Sequence, residues 1–143
     1  MAGEQSTGER SSSRTTVARG EKVYDLEERT ARFAEAIVRF ARSVPIDPVT
    51  EPLVSQLVRA GTSVGANYCE ADDAGSRKEF RYRISVCKRE CRECKYWLRV
   101  IAAAAPALRQ EARTHWREAK ELHLIFVAIH QKTKLTPRAS EAR

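Results

Sequence analysis

Four runs of the chain place apolar side chains three and four residues apart, the spacing that lines one face of an α-helix. In the first, about residues 24–44, the stripe is Leu26, Thr30, Phe33, Ile37, Phe40 and Val44. Asp25 stands where an N-cap belongs, with Glu28 three residues on as in a capping box. The run ends before Pro45, and the link SVPIDPVTEP holds three prolines, which predicts a turn. A second helix is expected from Thr50 or Glu51 to Ala71, on Leu53, Leu57, Ala60, Val64, either Asn67 or Tyr68, and Ala71. Gly61 and Gly65 lie four apart on this face. A glycine costs a helix up to about 1 kcal/mol, so two on one face predict close approach by a neighbour's backbone. DDAGS then breaks the helix.

The third run is the most regular. Ser76 and Glu79 form a capping-box pair, and Phe80, Ile84, Cys87, Cys91, Cys94, Leu98, Ile101 and Ala105 follow in alternating steps of four and three. That heptad seam covers about 30 residues, roughly 45 Å of helix, and Pro106 ends it. A fourth run follows almost without a loop, on Leu108, Ala112, His115, Ala119, Leu122, Phe126 and Ile129, with Trp116, Ile125 and Val127 widening the apolar side. No stretch alternates as a strand would, and no internal repeat appears. Four amphipathic helices joined by short links predict an all-α fold, an antiparallel up-down-up-down four-helix bundle.

Residues 1–22 carry almost no large apolar side chain and cannot offset the entropy of ordering. They read as a disordered N-terminal tail, residues 135–143 read likewise, and residues 23–134 form the bundle. The composition agrees with one domain of aliphatic helix packing, since the 143 residues are 42% hydrophobic and only 7% aromatic. No apolar run approaches the roughly 18 residues of a membrane span, and the start lacks the apolar core of a secretory signal. The expectation is a cytoplasmic protein with no membrane partner and with reduced thiols.

Those thiols pose the first chemical question. Cys87, Cys91 and Cys94 resemble a metal knuckle, and the last two form a C-x-x-C. A structural zinc site takes four Cys or His ligands, so the fourth would have to be Cys69 or a histidine such as His115. A redox C-x-x-C belongs at a helix N-terminus beside a strand, whereas this one is mid-helix. All three cysteines fall on consecutive seam positions, and free cysteine packs as a small hydrophobe. They are therefore assigned to the core, with no metal and no cofactor. A di-iron bundle fails on spacing, because no histidine follows Glu90, Glu93, Glu118 or Glu121 by three residues. No nucleophile elbow, phosphate loop or dinucleotide fingerprint is present, so an enzyme is not expected. Glu90 and Glu93, at the edge of the seam, are expected to pair with neighbouring bases. Asn67 and Glu70, near the packing face of the second helix, are expected in a hydrogen-bond network that sets helix register.

Charge alters the picture more than the cysteines do. The formal net charge is +7, and residues 76–105 carry nine basic side chains against three acidic ones. Residues 49–75 carry one against four, so the charge is polarised. Arg81, Lys88, Arg92, Lys95 and Arg99 each follow a seam position by one residue and make a second stripe about 100° around the third helix. With Arg77 and Lys78 at its head, this stripe could track a phosphate backbone, with affinity that falls as salt rises. It could equally be a solvated face, or bases that meet acids of a partner or a neighbouring subunit. Few aromatic groups lie on it, which argues against base-specific reading.

Three segments resemble a known family. SVGANYCEA at Ser63–Ala71 fits S-V-x-A-N-x-x-E-A, Ser76–Phe80 fits S-x-x-E/D-F, and Glu90–Leu98 fits E-C-x-E-x-K-Y-W-L, with Cys94 where threonine is usual. Together with EAKELHLIFVAI they are similar to the bacterial four helix bundle protein family, also called the 23S ribosomal RNA intervening-sequence protein family. The resemblance spans about residues 24–134. It implies a four-helix bundle assembled as a homopentamer and identifies no enzymatic activity. It also implies a structural or interface role for Asn67, Glu70, Glu90 and Glu93, which lie in the shared motifs. A related branch serves diversity-generating retroelements by binding a reverse transcriptase and nucleic acid, RNA or DNA, through a basic surface. The ribosomal name does not establish a ribosomal component.

Overall fold

Capping groups and prolines set the helix ends in the computed structural model, which describes residues 25–134. The order is α1 (Leu26–Ser43), α2 (Thr50–Asp72), α3 (Arg77–Ala104), a 3₁₀ turn at Pro106–Leu108, and α4 (Arg109–Lys132). Asp25 caps α1 by accepting from the Glu28 amide at 3.2 Å, and Ser76 caps α3 by accepting from the Glu79 amide at 3.0 Å. Each bond satisfies an amide that has no partner inside the first turn. At the head of α2 the capping group is Asp47, which the periodicity did not reveal. Its carboxylate accepts from the Val49 and Thr50 amides, both at 2.8 Å, and those bonds hold its pKa below the usual carboxylate value. The expected tails, 1–22 and 135–143, and the start of the first helix at residues 23–24 lie outside the described residues.

Side-chain contacts fix the antiparallel order. Arg29 of α1 reaches Glu118 of α4 while Phe40 packs against His115, 5.3 Å between centroids with the rings tilted by 60°, so α1 and α4 run in opposite directions. Arg59 pairs with Glu90 and Arg83 with Asn67, which reverses α3 against α2. Arg77 meets the carbonyl of Lys134 and Lys95 meets Trp116, which reverses α4 against α3. The result is an all-helical four-helix bundle, with no strand among the described residues. None of its helices is long and apolar enough to cross a membrane.

The core follows the stripes. Phe33, Ile37, Phe40, Leu57, Val64, Ile84, Leu98, Ile101, Leu122 and Phe126 are buried, and Tyr68 rather than Asn67 takes the inward position on α2, with its ring 6.0 Å from Phe126. The close approach expected from the α2 glycines is made by α1. A Cβ on Gly61 would lie 2.8 Å from Ile37 Cγ2, and one on Gly65 would lie 3.1 Å from Thr30 Oγ1.

Cys87, Cys91 and Cys94 lie in this core, each fully buried. Burial pushes the Cys87 and Cys94 thiols up to about 12 and raises Cys91 as well. The Cys87 thiol donates to the Val64 carbonyl at 3.5 Å. The nucleophile is the thiolate, so these three are inert while the bundle is folded. Cys69 is the exposed thiol of the four. A thiol titration with an aromatic disulfide is therefore expected to count about one cysteine in native protein and all four in denaturant. Rapid reaction of three or four before unfolding would remove the α3 seam from the core.

Candidate nucleic-acid interface

The α3 helix lies between α2 and α4, and its charged residues divide between those two neighbours. Toward α2 the two acids are compensated. Arg59, the sole base of α2, pairs with Glu90 at 3.2 Å and with Glu93, and Arg89 lies 3.8 Å from Glu90. The Glu90 side chain is only 6% exposed, so the Arg59 guanidinium compensates a carboxylate that burial would otherwise penalise. The ion pairing expected of Glu90 and Glu93 is present, with an α2 partner that the seam pattern did not single out. Asn67 is half-buried and donates to the Ser63 carbonyl, while its side-chain oxygen accepts from Arg83 at 3.0 Å. Glu70 is exposed and makes no hydrogen bond to Asn67 among the described residues, so within one chain it does not join that network. A shared helix and a spacing of three were not enough to bring the two together, because Tyr68 and Ala71 take the inward face and turn Glu70 outward.

Toward α4 the charges stay free. Among the described residues, none of Arg77, Lys78, Arg81, Lys88, Arg92, Lys95 and Arg99 makes an ion pair with a carboxylate. Lys88 Nζ lies 3.3 Å from His130 Nδ1, and Lys95 Nζ lies 5.6 Å from the centre of the Trp116 ring. Both His123 and His130 are held below the ordinary histidine pKa, first by partial burial and then by cations. Lys95, Lys88 and Arg92 act on His123, and Lys88 and Arg81 act on His130. These contacts set Arg81, Lys88, Arg92 and Lys95 in one band along the α3–α4 groove. Arg77 joins it at the end of α4 through the Lys134 carbonyl. Lys78 is exposed and one residue further round, about 100° from Arg77, so it stands off the band.

The band is wider than the sequence stripe, because α4 adds to it. Arg109, Arg113 and Arg117 are exposed at steps of four, and Lys120 follows with its Nζ 5.7 Å from the Trp116 ring. Over Arg109–Lys132 there are five bases against three acids, a balance too even to stand out as a sum. The helix separates them by face. Glu118 and Glu121 turn to Arg29 of α1, at 2.8 and 4.0 Å, whereas Arg109, Arg113 and Arg117 line a groove with Leu98 and Arg99 of α3. Steps of four among the α4 arginines were the available signal. Among the described residues no group of three His, Cys, Asp or Glu side chains is placed to hold a metal ion.

An all-helical bundle with one flank of cations and one of compensated pairs defines the class of this protein. The chain belongs to the 23S rRNA-intervening sequence protein family, whose model matches residues 22–128. Among solved structures it is similar to a protein with unknown function from the S23 ribosomal protein family of Bacteroides thetaiotaomicron. The two are 26% identical, the match covers 73% of this chain and 97% of that one, and the TM-score is 0.65. No curated protein matches the chain.

Proposed function

We propose that this chain is a non-enzymatic, self-associating bundle that holds nucleic acid against its α3–α4 flank, alone or bound to a protein such as a reverse transcriptase. The mechanism is neutralisation of phosphates by arginine and lysine, which carries little sequence preference. One observation supports it above the others: the cations of this flank have no carboxylate partner among the described residues, whereas Glu90 and Glu93 of α3 are compensated on the opposite side. A face that is merely solvated interleaves both signs, and this one does not.

The test is the salt dependence of binding. Each neutralised phosphate contributes about −0.9 to the slope of log K against log salt on duplex DNA and about −0.7 on single strands. Four to six contacts along the band give an expected slope of roughly −3 to −5, measured by filter binding with mixed RNA and DNA. A slope near zero, or no retention at low salt, would dispose of the reading.

A second reading is a protein-interaction scaffold. Tyr82 and Tyr96 are 58% and 59% exposed on the outer side of α3, and the Trp97 Nε1 proton is buried without an acceptor. Such groups are completed by a neighbouring subunit at an interface, in keeping with a homopentamer. Light-scattering mass with and without nucleic acid separates assembly from ligand binding.

A further inference from the structure

A cleft of about 460 Å³ opens in the α3–α4 groove beyond the stripe read from the sequence, within the range of small-molecule sites. Leu98 and Ala112 floor it beside the indole of Trp116, and Arg99, Arg109, Arg113 and Arg117 ring it. None of these arginines has an ion-pair partner among the described residues, and no carboxylate lines the cleft. Four guanidiniums that converge on an apolar, aromatic floor repel one another in the free protein. The ligand that relieves the repulsion is an anion, and the ligand that uses the floor has a flat apolar body. A nucleotide has both, since its base stacks on an aromatic ring while its phosphate takes the arginines.

Position narrows the choice further. Arg99 belongs both to the basic band and to the ring of the cleft, so a strand that follows Arg92, Lys95 and Arg99 arrives at Trp116. A duplex keeps its base faces inside its own stack and cannot offer one there, whereas a single strand offers every base. Lys95 and Lys120, which lie near the Trp116 ring, carry flexible stems that can swing from the ring to phosphate. We propose that the α3–α4 flank takes single-stranded nucleic acid, with one unpaired base stacked on Trp116 inside the arginine ring. This rests on the nucleic-acid reading above and specifies the form of its ligand.

The experiment compares, on the full chain at one salt concentration, an oligouridine strand, an abasic strand with the same number of phosphates, and a duplex with the same number of phosphates. The oligouridine strand is expected to bind about 5- to 140-fold more tightly than the abasic one, the range of one base–aromatic stack. It is expected to quench tryptophan fluorescence. Trp116→Ala is expected to bring the oligouridine strand down to the abasic level and to leave the salt slope unchanged, while Trp116→Phe keeps most of the affinity and loses most of the quenching. Because the abasic comparison uses unaltered protein, it decides even where Trp116→Ala fails to fold. Equal affinity for the oligouridine and abasic strands, or a duplex bound as tightly as the oligouridine, overturns the stacking site and leaves the phosphate band standing. Binding of none of the three overturns both.

Discussion

Reversing Arg92 and Lys95 to glutamate together is expected to weaken nucleic-acid binding about 100-fold or more at moderate salt. It is also expected to lower the magnitude of the salt slope by about two, since each lost phosphate contact removes roughly one unit. The variant replaces two attractive charges in the middle of the band with two repulsive ones, and every phosphate on the groove feels the change. The fold has little reason to respond. Neither side chain makes an ion pair among the described residues, and Arg92 is exposed. Lys95 gives up its position over Trp116, a contact worth about 0.5–1 kcal/mol at a surface. An internal control accompanies the variant. Lys95 and Arg92 are among the cations that hold the His123 pKa down, so their reversal is expected to move the imidazole titration to higher pH. A raised His123 pKa with unchanged mass and lost binding supports the nucleic-acid interface. If the same variant splits the oligomer instead, the bases belong to a subunit contact and the scaffold reading takes over.

The bundle was legible because helix periodicity, caps and prolines agree along the chain. The Asp25 and Ser76 caps, the stop at Pro45 and the seven-residue repeat of α3 agree with the apolar periodicity, and the first three helices form within two residues of the expected ends. Pairings between helices were less legible. Glu90 and Glu93 read as bases' partners, yet Arg59, the partner itself, lies 31 residues from Glu90 and only tertiary packing brings it there. Glu70 shows the converse, since a motif shared with Asn67 placed no bond between them. The α4 arginines do not stand out in the sequence, because five bases and three acids share that helix. A sum hides what a helix does with angle: α4 turns Glu118 and Glu121 to α1 and its three arginines to α3, and only the facing helix shows which residues share a groove. Trp116 packs against the core, as its place on the apolar side suggests, but that place does not reveal that its other neighbours are arginines.

The glycine face of α2 carries the largest expected effect on stability. Gly61→Val is expected to cost at least about 3 kcal/mol, roughly 10–20 °C of thermal midpoint for a bundle of this size. Gly61→Ala is the more instructive change, because two effects oppose each other. Alanine gains up to about 1 kcal/mol of helix propensity over glycine. Against that, its Cβ would lie 2.8 Å from Ile37 Cγ2 and 3.1 Å from both Ile37 Cβ and Cγ1. Ile37 is fully buried and β-branched, so it has essentially one side-chain rotamer in a helix and cannot turn aside. The strain costs about 1–3 kcal/mol, and the net result is expected to be a loss despite the better helix former. Gly65→Ala meets Thr30 Oγ1 at 3.1 Å and Cβ at 3.3 Å, a looser fit, so its loss is expected to be the smaller. A double-mutant cycle with Ile37→Ala makes the cause specific. Truncating Ile37 removes the crowding methyls, so the pair is expected to be at least about 1 kcal/mol less destabilising than the sum of its parts. Thermal or urea unfolding measures each term, and a Gly61→Ala protein more stable than the parent would mean that α1 and α2 do not approach at this point.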